Sequence, residues 1–113
     1  MYHLRYKLWL EKDGKAFGEG PYQLLAGVLE SGSLSTAAKK LNMSYSLAYN
    51  LIKKIEQNLG FPLLESKSGG LGGGGSELTP QAIALMEKYN DFQTEAATLL
   101  QELFNKHFYP EAI

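Results

Sequence analysis

The sequence contains no cysteine and only two histidines, His3 and His107, which stand near opposite ends of its 113 residues. Without cysteine, disulfide frameworks, thiolate metal sites and cysteine nucleophiles are all excluded. Neither histidine has a nucleophile or further metal ligands at a useful spacing, so no enzyme, metal site or cofactor is predicted. The sequence has no run of about 18 apolar residues, the length needed to span a membrane. Apolar and polar residues alternate at the N-terminus, which does not have the apolar stretch of a signal peptide. A cytoplasmic location is therefore expected.

The chain also has little net charge, since 11 Lys and Arg stand against 12 Asp and Glu. A nucleic-acid-binding domain is usually basic. The distribution is uneven, however: residues 1–32 carry four basic and four acidic groups, residues 33–68 five Lys and two Glu, and residues 69–113 two Lys and six acids. Positive charge is concentrated in the middle of the chain, and DNA binding there should be moderate and sensitive to salt.

The middle of the chain, residues 33–59, has the pattern of two helices joined by a tight turn. Ser33 and Ser44 are suitable N-caps, and Asn42 accepts the left-handed backbone conformation that such a turn requires. Apolar residues follow both caps at helical spacing: Leu34, Ala37, Ala38 and Leu41, then Leu47, Ala48, Leu51, Ile52 and Ile55. This pattern predicts a helix-turn-helix whose second helix is built to enter a DNA groove.

The residues before this motif predict a β-hairpin and a supporting helix. Apolar and polar residues alternate from Tyr2 to Leu10, and Asp13-Gly14 favours a tight turn, so residues 1–19 are predicted to form the hairpin. A helix should begin at Gly20-Pro21 and end at Ser31-Gly32. Its predicted buried stripe is Leu24, Leu25, Val28 and Leu29. With the helix-turn-helix it would complete a three-helix core over residues 20–60.

Residues 62–79 are predicted to form a second hairpin, with six glycines between positions 69 and 75. A glycine-rich loop between short strands, directly after a recognition helix, is typical of the wing of a winged helix. The alternative is a flexible connector. Gly70, Gly72 and Gly75 also match GxGxxG, but we reject a dinucleotide site because no βαβ unit surrounds them.

The last segment, residues 79–108, predicts a long helix that begins with Thr79 as N-cap and Pro80 in the first turn. At 1.5 Å per residue it would extend about 40 Å, more than a domain this small can cover. A second copy of the helix is the simplest partner; the alternative is a helix folded back near Asn90-Asp91. The predicted dimer interface is Ile83, Met86, Tyr89, Phe92, Ala96, Leu99, Leu100 and Leu103. The expected fold is one mainly α domain with small β-hairpins, spanning residues 1–113.

The run GSLSTAAKKLNMSYSLAYNLIKKIEQNLGFPLLESKSGGLGGGGSELTPQAIALM resembles the DNA-binding domain of ModE-type molybdate-responsive transcription regulators. The shared features are G-S-x-S-x-A-A-x-x-L-x-M-S-Y, the following P-L-[LV], the glycine run and L-T-P before a long helix; the likeness covers roughly residues 8–88. More distantly, the chain is similar to LysR-type winged helices. Full-length members of the ModE family carry C-terminal domains that sense molybdate. The chain ends at Ile113, without room for such a domain, so no molybdate site is expected here. Leu71 stands where that family often has a basic wing residue.

In a winged helix the helix after Ser44 lies in the major groove with its N-terminal half against base edges. Asn50 is the best candidate for reading a base, because an amide can bond adenine at two positions. Lys53, Lys54 and Lys67 would bind phosphates. The hydroxyls of Ser35 and Thr36, at the N-terminus of the preceding helix, suit a phosphate oxygen. The predicted DNA-binding residues are Ser35, Thr36, Ser44, Tyr45, Ser46, Tyr49, Asn50, Lys53, Lys54, Lys67, Ser68, Gly69 and Gly70.

Each assignment has an alternative. Tyr45 or Tyr49 could instead be core aromatics, and Lys39 and Lys40 fit a solvated face better than a binding face. The leading hypothesis for the whole chain is a homodimeric, sequence-specific transcription regulator that binds double-stranded DNA. The competing hypothesis is a winged-helix module that has lost useful DNA affinity and binds a partner protein through its long helix and exposed aromatics.

Overall fold

The computed structural model describes residues 1–67 and 75–112. The chain is mainly helical with two separate two-stranded antiparallel sheets, as predicted. The elements, in chain order, are β1 (Trp9–Glu11), β2 (Lys15–Gly18), α1 (Glu19–Ser31), α2 (Leu34–Lys40), α3 (Tyr45–Leu59), β3 (Leu64–Lys67), β4 (Gly75–Leu78), α4 (Pro80–Phe108) and a final 3₁₀ turn (Pro110–Ala112).

The N-terminal hairpin is present but shorter than its sequence pattern indicates. Strands β1 and β2 pair from Trp9↔Gly18 inwards. The turn uses positive φ at Asp13 (57°) and Gly14 (122°), which confirms the predicted Asp-Gly turn. Phe17 on β2 is fully buried and fixes the hairpin to the core.

Residues 1–8 form no strand, so the strand predicted from Tyr2 onwards is wrong for this segment. The segment lies along α4 instead. Its Leu8 carbonyl accepts a hydrogen bond from the Tyr89 hydroxyl at 3.1 Å, and Tyr2 exchanges backbone hydrogen bonds with the hydroxyl of Tyr109. Leu4 and Leu8 of this segment are half-buried, whereas Tyr2 and Tyr6 are exposed. The alternation therefore reflects extended backbone, whose successive side chains point to opposite sides, without a paired strand.

The helix-turn-helix forms as the capping residues predict. The Ser33 hydroxyl accepts from the Thr36 N–H, and the Ser44 hydroxyl accepts from the Leu47 N–H, both at 3.1 Å. Asn42 has φ 57° in the turn between the helices. Each cap satisfies one of the backbone donors that a helix leaves open at its start, which explains why α2 and α3 begin where they do.

Glycines end α1 and α3 and bring two helices together. Gly32 (φ 73°), at the predicted end of α1, and Gly60 (φ 88°) are left-handed C-caps. Gly27 on α1 faces Ala37 on α2, and a Cβ atom at Gly27 would lie 2.7 Å from the Ala37 Cβ. Two small residues therefore set the close contact between α1 and α2.

The buried apolar residues of the described chain form a single core. They are Ala16, Phe17, Leu24, Leu25, Val28, Leu34, Ala37, Ala38, Ala48, Ile52, Ile55, Leu59, Leu63, Ala82, Met86 and Tyr89. Most of the predicted core positions are among them.

Three leucines predicted on the buried faces are exposed instead, namely Leu29, Leu41 and Leu47. On α3 the buried stripe runs through Ala48, Ile52, Ile55 and Leu59. Leu47 precedes Ala48 by one residue, or about 100° around the helix, and so lies beside the stripe rather than within it.

The second hairpin pairs β3 with β4 in the register Leu64↔Leu78 to Lys67↔Gly75. The Ser76 N–H donates to the Gly32 carbonyl at 2.9 Å, which ties the hairpin to the end of α1. The glycine-rich tip predicted between the strands lies outside the described residues.

Helix α4 is one continuous helix of 29 residues, which overturns the alternative of a helix folded back near Asn90. Thr79 caps it by accepting from the Ala82 N–H at 3.0 Å, as predicted. The molecule measures 61 × 28 × 21 Å with a radius of gyration of 17.3 Å, against about 13 Å for a compact chain of this length. The excess arises because α4 extends beyond the core.

Only the first part of α4 is buried, at Ala82, Met86 and Tyr89. Met86 and Tyr89 were predicted at a dimer interface, and this is corrected: their side chains pack in the chain's own core. Ile83, also predicted there, is exposed on another face of α4, beside Leu29 of α1. Among the helices of residues 1–67 and 75–112, none combines the length and the apolarity that crossing a bilayer requires.

Candidate nucleic-acid interface

The exposed side of α3 is polar over most of its length. Ser46, Asn50, Lys53, Lys54 and Gln57 are all exposed and lie opposite the buried stripe of the helix. Since this stripe anchors α3 on the core, the predicted base-reading residue, Asn50, projects away from the protein. Ser44, another of the predicted residues, is exposed as the N-cap of this helix.

An aromatic and cationic row lies along the flank of α3. The rings of Tyr45 and Tyr49 stack with centroids 6.0 Å apart, and the Lys53 Nζ lies 5.4 Å from the centroid of Tyr49. Tyr45 is 53% and Tyr49 43% exposed, which overturns the alternative that they are core aromatics. The row lines one side of a groove whose other side includes Ser66 and Ser76 of the second hairpin.

Glu56, which the sequence reasoning missed, holds the second hairpin against α3. One carboxylate oxygen accepts from the backbone N–H of Leu63 at 2.6 Å and of Leu64 at 3.2 Å, and the other lies 3.3 Å from the Lys53 Nζ. The carboxylate thus satisfies two backbone donors at the start of β3 and neutralises part of the charge of Lys53. The sequence shows Glu56 three residues after Lys53, which predicts the ion pair but not the backbone contacts.

The other predicted phosphate-binding residues lie around the start of α2. Ser35 and Thr36 are exposed in its first turn, although the Thr36 N–H is already bonded to Ser33. Lys67 is exposed at the end of β3, with Nζ 3.9 Å from the place a Cβ on Gly32 would occupy. The structure therefore brings Lys67 next to the junction of α1 and α2.

The remaining predicted residues divide into two groups. Ser68, Gly69 and Gly70 lie outside the described residues. Lys54 is exposed, and within the described chain no carboxylate oxygen lies within 4.0 Å of its Nζ. By contrast, Lys40 pairs with Glu30 at 3.5 Å on an exposed surface, in line with the solvated face expected for it.

Two carboxylates stand directly opposite each other on the second hairpin, where Glu65 of β3 pairs with Glu77 of β4. Both side chains are exposed. Like charges in cross-strand positions repel each other, and they would also repel a phosphate. This feature reduces the positive potential of the hairpin that Lys67 provides.

Comparison with known proteins places this arrangement in a family. Residues 22–83 match the family described as "Bacterial regulatory helix-turn-helix protein, lysR family". The Molybdenum-pterin-binding protein MopB of Rhodobacter capsulatus is 33% identical over 91 residues, which are 80% of this chain and 34% of that protein. The DNA-binding transcriptional dual regulator ModE of Escherichia coli K12 is 37% identical over 67 residues, 59% of this chain and 26% of that protein.

A solved structure shows the same fold. In the crystal structure of the CbnR_DBD-DNA complex, the matching chain superposes with a TM-score of 0.60 at 25% identity, over 78% of this chain and 95% of that one.

This chain spans between a quarter and a third of the length of the curated relatives that it matches. The resemblance to ModE-type regulators is confirmed by these relatives, and the more distant one to LysR-type winged helices by the family match. The family match, over residues 22–83, contains the helix-turn-helix and the second hairpin, whose geometry is described above. The chain belongs to the lysR family of bacterial regulatory helix-turn-helix proteins.

Proposed function

We propose that the chain is the DNA-binding part of a transcription regulator and binds a specific double-stranded sequence as a homodimer. The observation that carries this proposal is the outward face of α3, which is polar, exposed and flanked by the row of Tyr45, Tyr49 and Lys53 beside the second hairpin. A solved relative is a DNA complex, and the family is one of regulatory helix-turn-helix proteins.

In this proposal the N-terminal half of α3 enters the major groove. Asn50 reads a base edge, and Ser46 adds a less selective hydrogen bond. Lys54 and Lys67 contact phosphates. Lys53 contributes less than an unpaired lysine would, because Glu56 lies 3.3 Å from its Nζ.

The second hairpin acts as the wing and follows the adjacent backbone. Its proposed contacts are those of Lys67 and of Ser68, Gly69 and Gly70, and the start of α2 adds Ser35 and Thr36 as further phosphate contacts. Because Glu65 and Glu77 face each other on the same hairpin, their charges weaken the attraction between this hairpin and the phosphates.

Dimerisation in this proposal uses α4 beyond the core. Phe92, Leu99 and Leu103 are exposed, and with Ala96 they recur at intervals of four, three and four residues. This spacing places them on one side of the helix as the seam of a coiled coil. Two copies joined there would present two α3 helices with a fixed separation, which sets the spacing of a two-fold symmetric site.

The DNA proposal is tested by selecting random duplexes with the purified protein and measuring affinity for the enriched sequence. Asn50→Ala should lower the affinity for that sequence towards the affinity for random DNA, by about 1–3 kcal/mol. Lys54→Ala should weaken binding to both DNAs about equally. Asn90→Ala, which alters an exposed asparagine on α4, is the control and should leave both affinities unchanged.

The dimer proposal is tested by the mass of the protein in solution. Leu103→Glu places a charge in the proposed seam and should convert a dimer into a monomer. Ile83→Glu places the same charge on an exposed position of α4 outside the seam, and it should leave the dimer intact. A dimer that survives Leu103→Glu but not Ile83→Glu would move the interface to the other face of the helix.

One observation favours a second candidate, a module that binds a partner protein. The pair of Glu65 and Glu77 on the wing and the neutralised Lys53 both reduce attraction to phosphate. If the selection enriches no sequence and the residual DNA binding changes little with salt, this candidate replaces the DNA proposal.

A further inference from the structure

The first turn of α3 carries a residue that the polar face does not explain. Leu47 is 57% exposed, next to Ser46 and three residues before Asn50. It is the one aliphatic side chain among the exposed residues of α3, all of which the structure describes. We infer that Leu47 recognises the methyl group of a thymine next to the base pair that Asn50 reads. This inference rests on the proposed function.

The first reason is the place of Leu47 on the helix. Its backbone N–H is bonded to the Ser44 cap, so the first turn of α3 is well defined. In a helix-turn-helix that docks in the major groove, side chains of this turn reach the base edges. Leu47 lies about 100° from the buried stripe at Ala48 and therefore contributes little to the core.

The second reason is chemical complementarity. In the major groove the thymine C5 methyl is the one apolar group that the four base pairs present, and an aliphatic side chain is a suitable partner for it. The remaining exposed residues of α3 can only donate or accept hydrogen bonds or stack. Leu47 thus adds a kind of recognition that the rest of the face lacks.

The third reason is the relation to Asn50. Residues three apart on a helix are surface neighbours, with Cβ atoms about 5–6 Å from each other. An asparagine that bonds adenine through N6 and N7 and a leucine against a nearby thymine methyl would together select two adjacent A·T pairs. The inference therefore specifies two adjacent A·T pairs within each half-site.

The experiment uses the duplex enriched by the wild-type protein, with thymines replaced one at a time by uracil, which lacks only the methyl group. At one position in each half-site, uracil should weaken wild-type binding about fourfold. This is the change in affinity that corresponds to about 0.8 kcal/mol, the free energy of burying one methylene-sized group. Leu47→Ala should bind the thymine and uracil duplexes equally at that position. Leu29→Ala, a leucine with 65% exposure on α1, should keep the wild-type difference.

Thermal unfolding of the Leu47→Ala variant checks that the protein remains folded, since removing an exposed leucine should cost little stability. The inference is overturned if uracil has no effect at any position, or if Leu47→Ala retains the thymine preference. In both cases the wild type still selects a sequence, so the proposed function stands. If the wild type selects no sequence at all, the proposed function fails, and the inference fails with it.

Discussion

Helix α4 has two halves with similar sequence character and opposite environments. In the first half, Ala82, Met86 and Tyr89 pack into the core, whereas Phe92, Leu99 and Leu103 in the second half are exposed. Both halves have apolar residues at helical spacing. The comparison shows that periodicity predicts a helix and an apolar face, while the surrounding fold decides whether the chain itself covers that face.

The N-terminal segment, residues 1–8, covers part of the second half. The ring of Tyr2 lies 5.3 Å from that of Phe108 in an edge-to-face contact, and Tyr109 hydrogen-bonds to the Tyr2 backbone. Leu99 and Leu103 are exposed despite this cover. The N-terminal segment therefore covers the face of α4 that carries Phe104 and Phe108 and leaves the proposed seam exposed.

The largest expected effect on stability comes from replacing a leucine by alanine in the core, and we compare it with the same replacement in the exposed half of α4. Leu25→Ala removes a fully buried side chain on α1 and should lower the free energy of unfolding by about 2–5 kcal/mol. Leu99→Ala removes a side chain that is 65% exposed, and it should cost the monomer less than about 0.5 kcal/mol. Urea unfolding at a protein concentration low enough to give monomers measures both. Equal losses would mean that the second half of α4 is packed against the chain in solution.

The next effect concerns the second hairpin, which Glu56 of α3 holds against the core through two backbone hydrogen bonds. Glu56→Ala leaves the backbone N–H groups of Leu63 and Leu64 without their partner. An unsatisfied, partly buried donor costs about 1–3 kcal/mol, so the variant should be less stable by that amount. Amide exchange at Leu63 and Leu64 should also accelerate. Glu65→Ala, which removes an exposed carboxylate from the same hairpin, is the control and should produce neither change.

The contrast between the two halves of α4 also separates the features that the sequence could predict, which depend on neighbouring residues, from those set by distant contacts. Local chemistry defined the caps at Ser33, Ser44 and Thr79 and the turn at Asn42, because each depends on residues within four positions. The outward direction of Asn50 was likewise predicted from helical spacing.

Contacts between distant residues were not predictable in the same way. Residues 1–8 alternate like a strand, but their hydrogen-bond partners, Tyr89 and Tyr109, lie 81 and 107 positions away along the chain. Met86 and Leu99 have the same apolar character, yet one packs in the core and the other is exposed. Leu47 was predicted in the core because neighbouring positions on a helix differ by only about 100°, so an error of one position exchanges a buried residue for an exposed one.

The smallest effect should occur at Tyr89, where the two halves of α4 meet. Its hydroxyl donates to the Leu8 carbonyl at 3.1 Å, and the side chain is only 2% exposed. Tyr89→Phe removes this hydrogen bond and should cost about 1 kcal/mol at neutral pH. Burial raises the pKa of the Tyr89 phenol above its ordinary value of 10.0, and the Glu19 carboxylate adds to the increase.

The pH dependence follows from the direction of that shift. Because the pKa is higher in the folded protein, folding favours the neutral phenol, and this contribution is fully present below pH 10, the ordinary value. It is lost as the pH rises through the raised pKa of the folded state. The stability of the wild type, measured by urea unfolding between about pH 8 and pH 11, should therefore fall more steeply than that of Tyr89→Phe. Tyr45→Phe, which removes an exposed phenol, should follow the wild-type curve. If the stability of Tyr89→Phe falls equally steeply, the pKa of the Tyr89 phenol is not raised in the folded protein, and the buried environment assigned to this side chain is wrong.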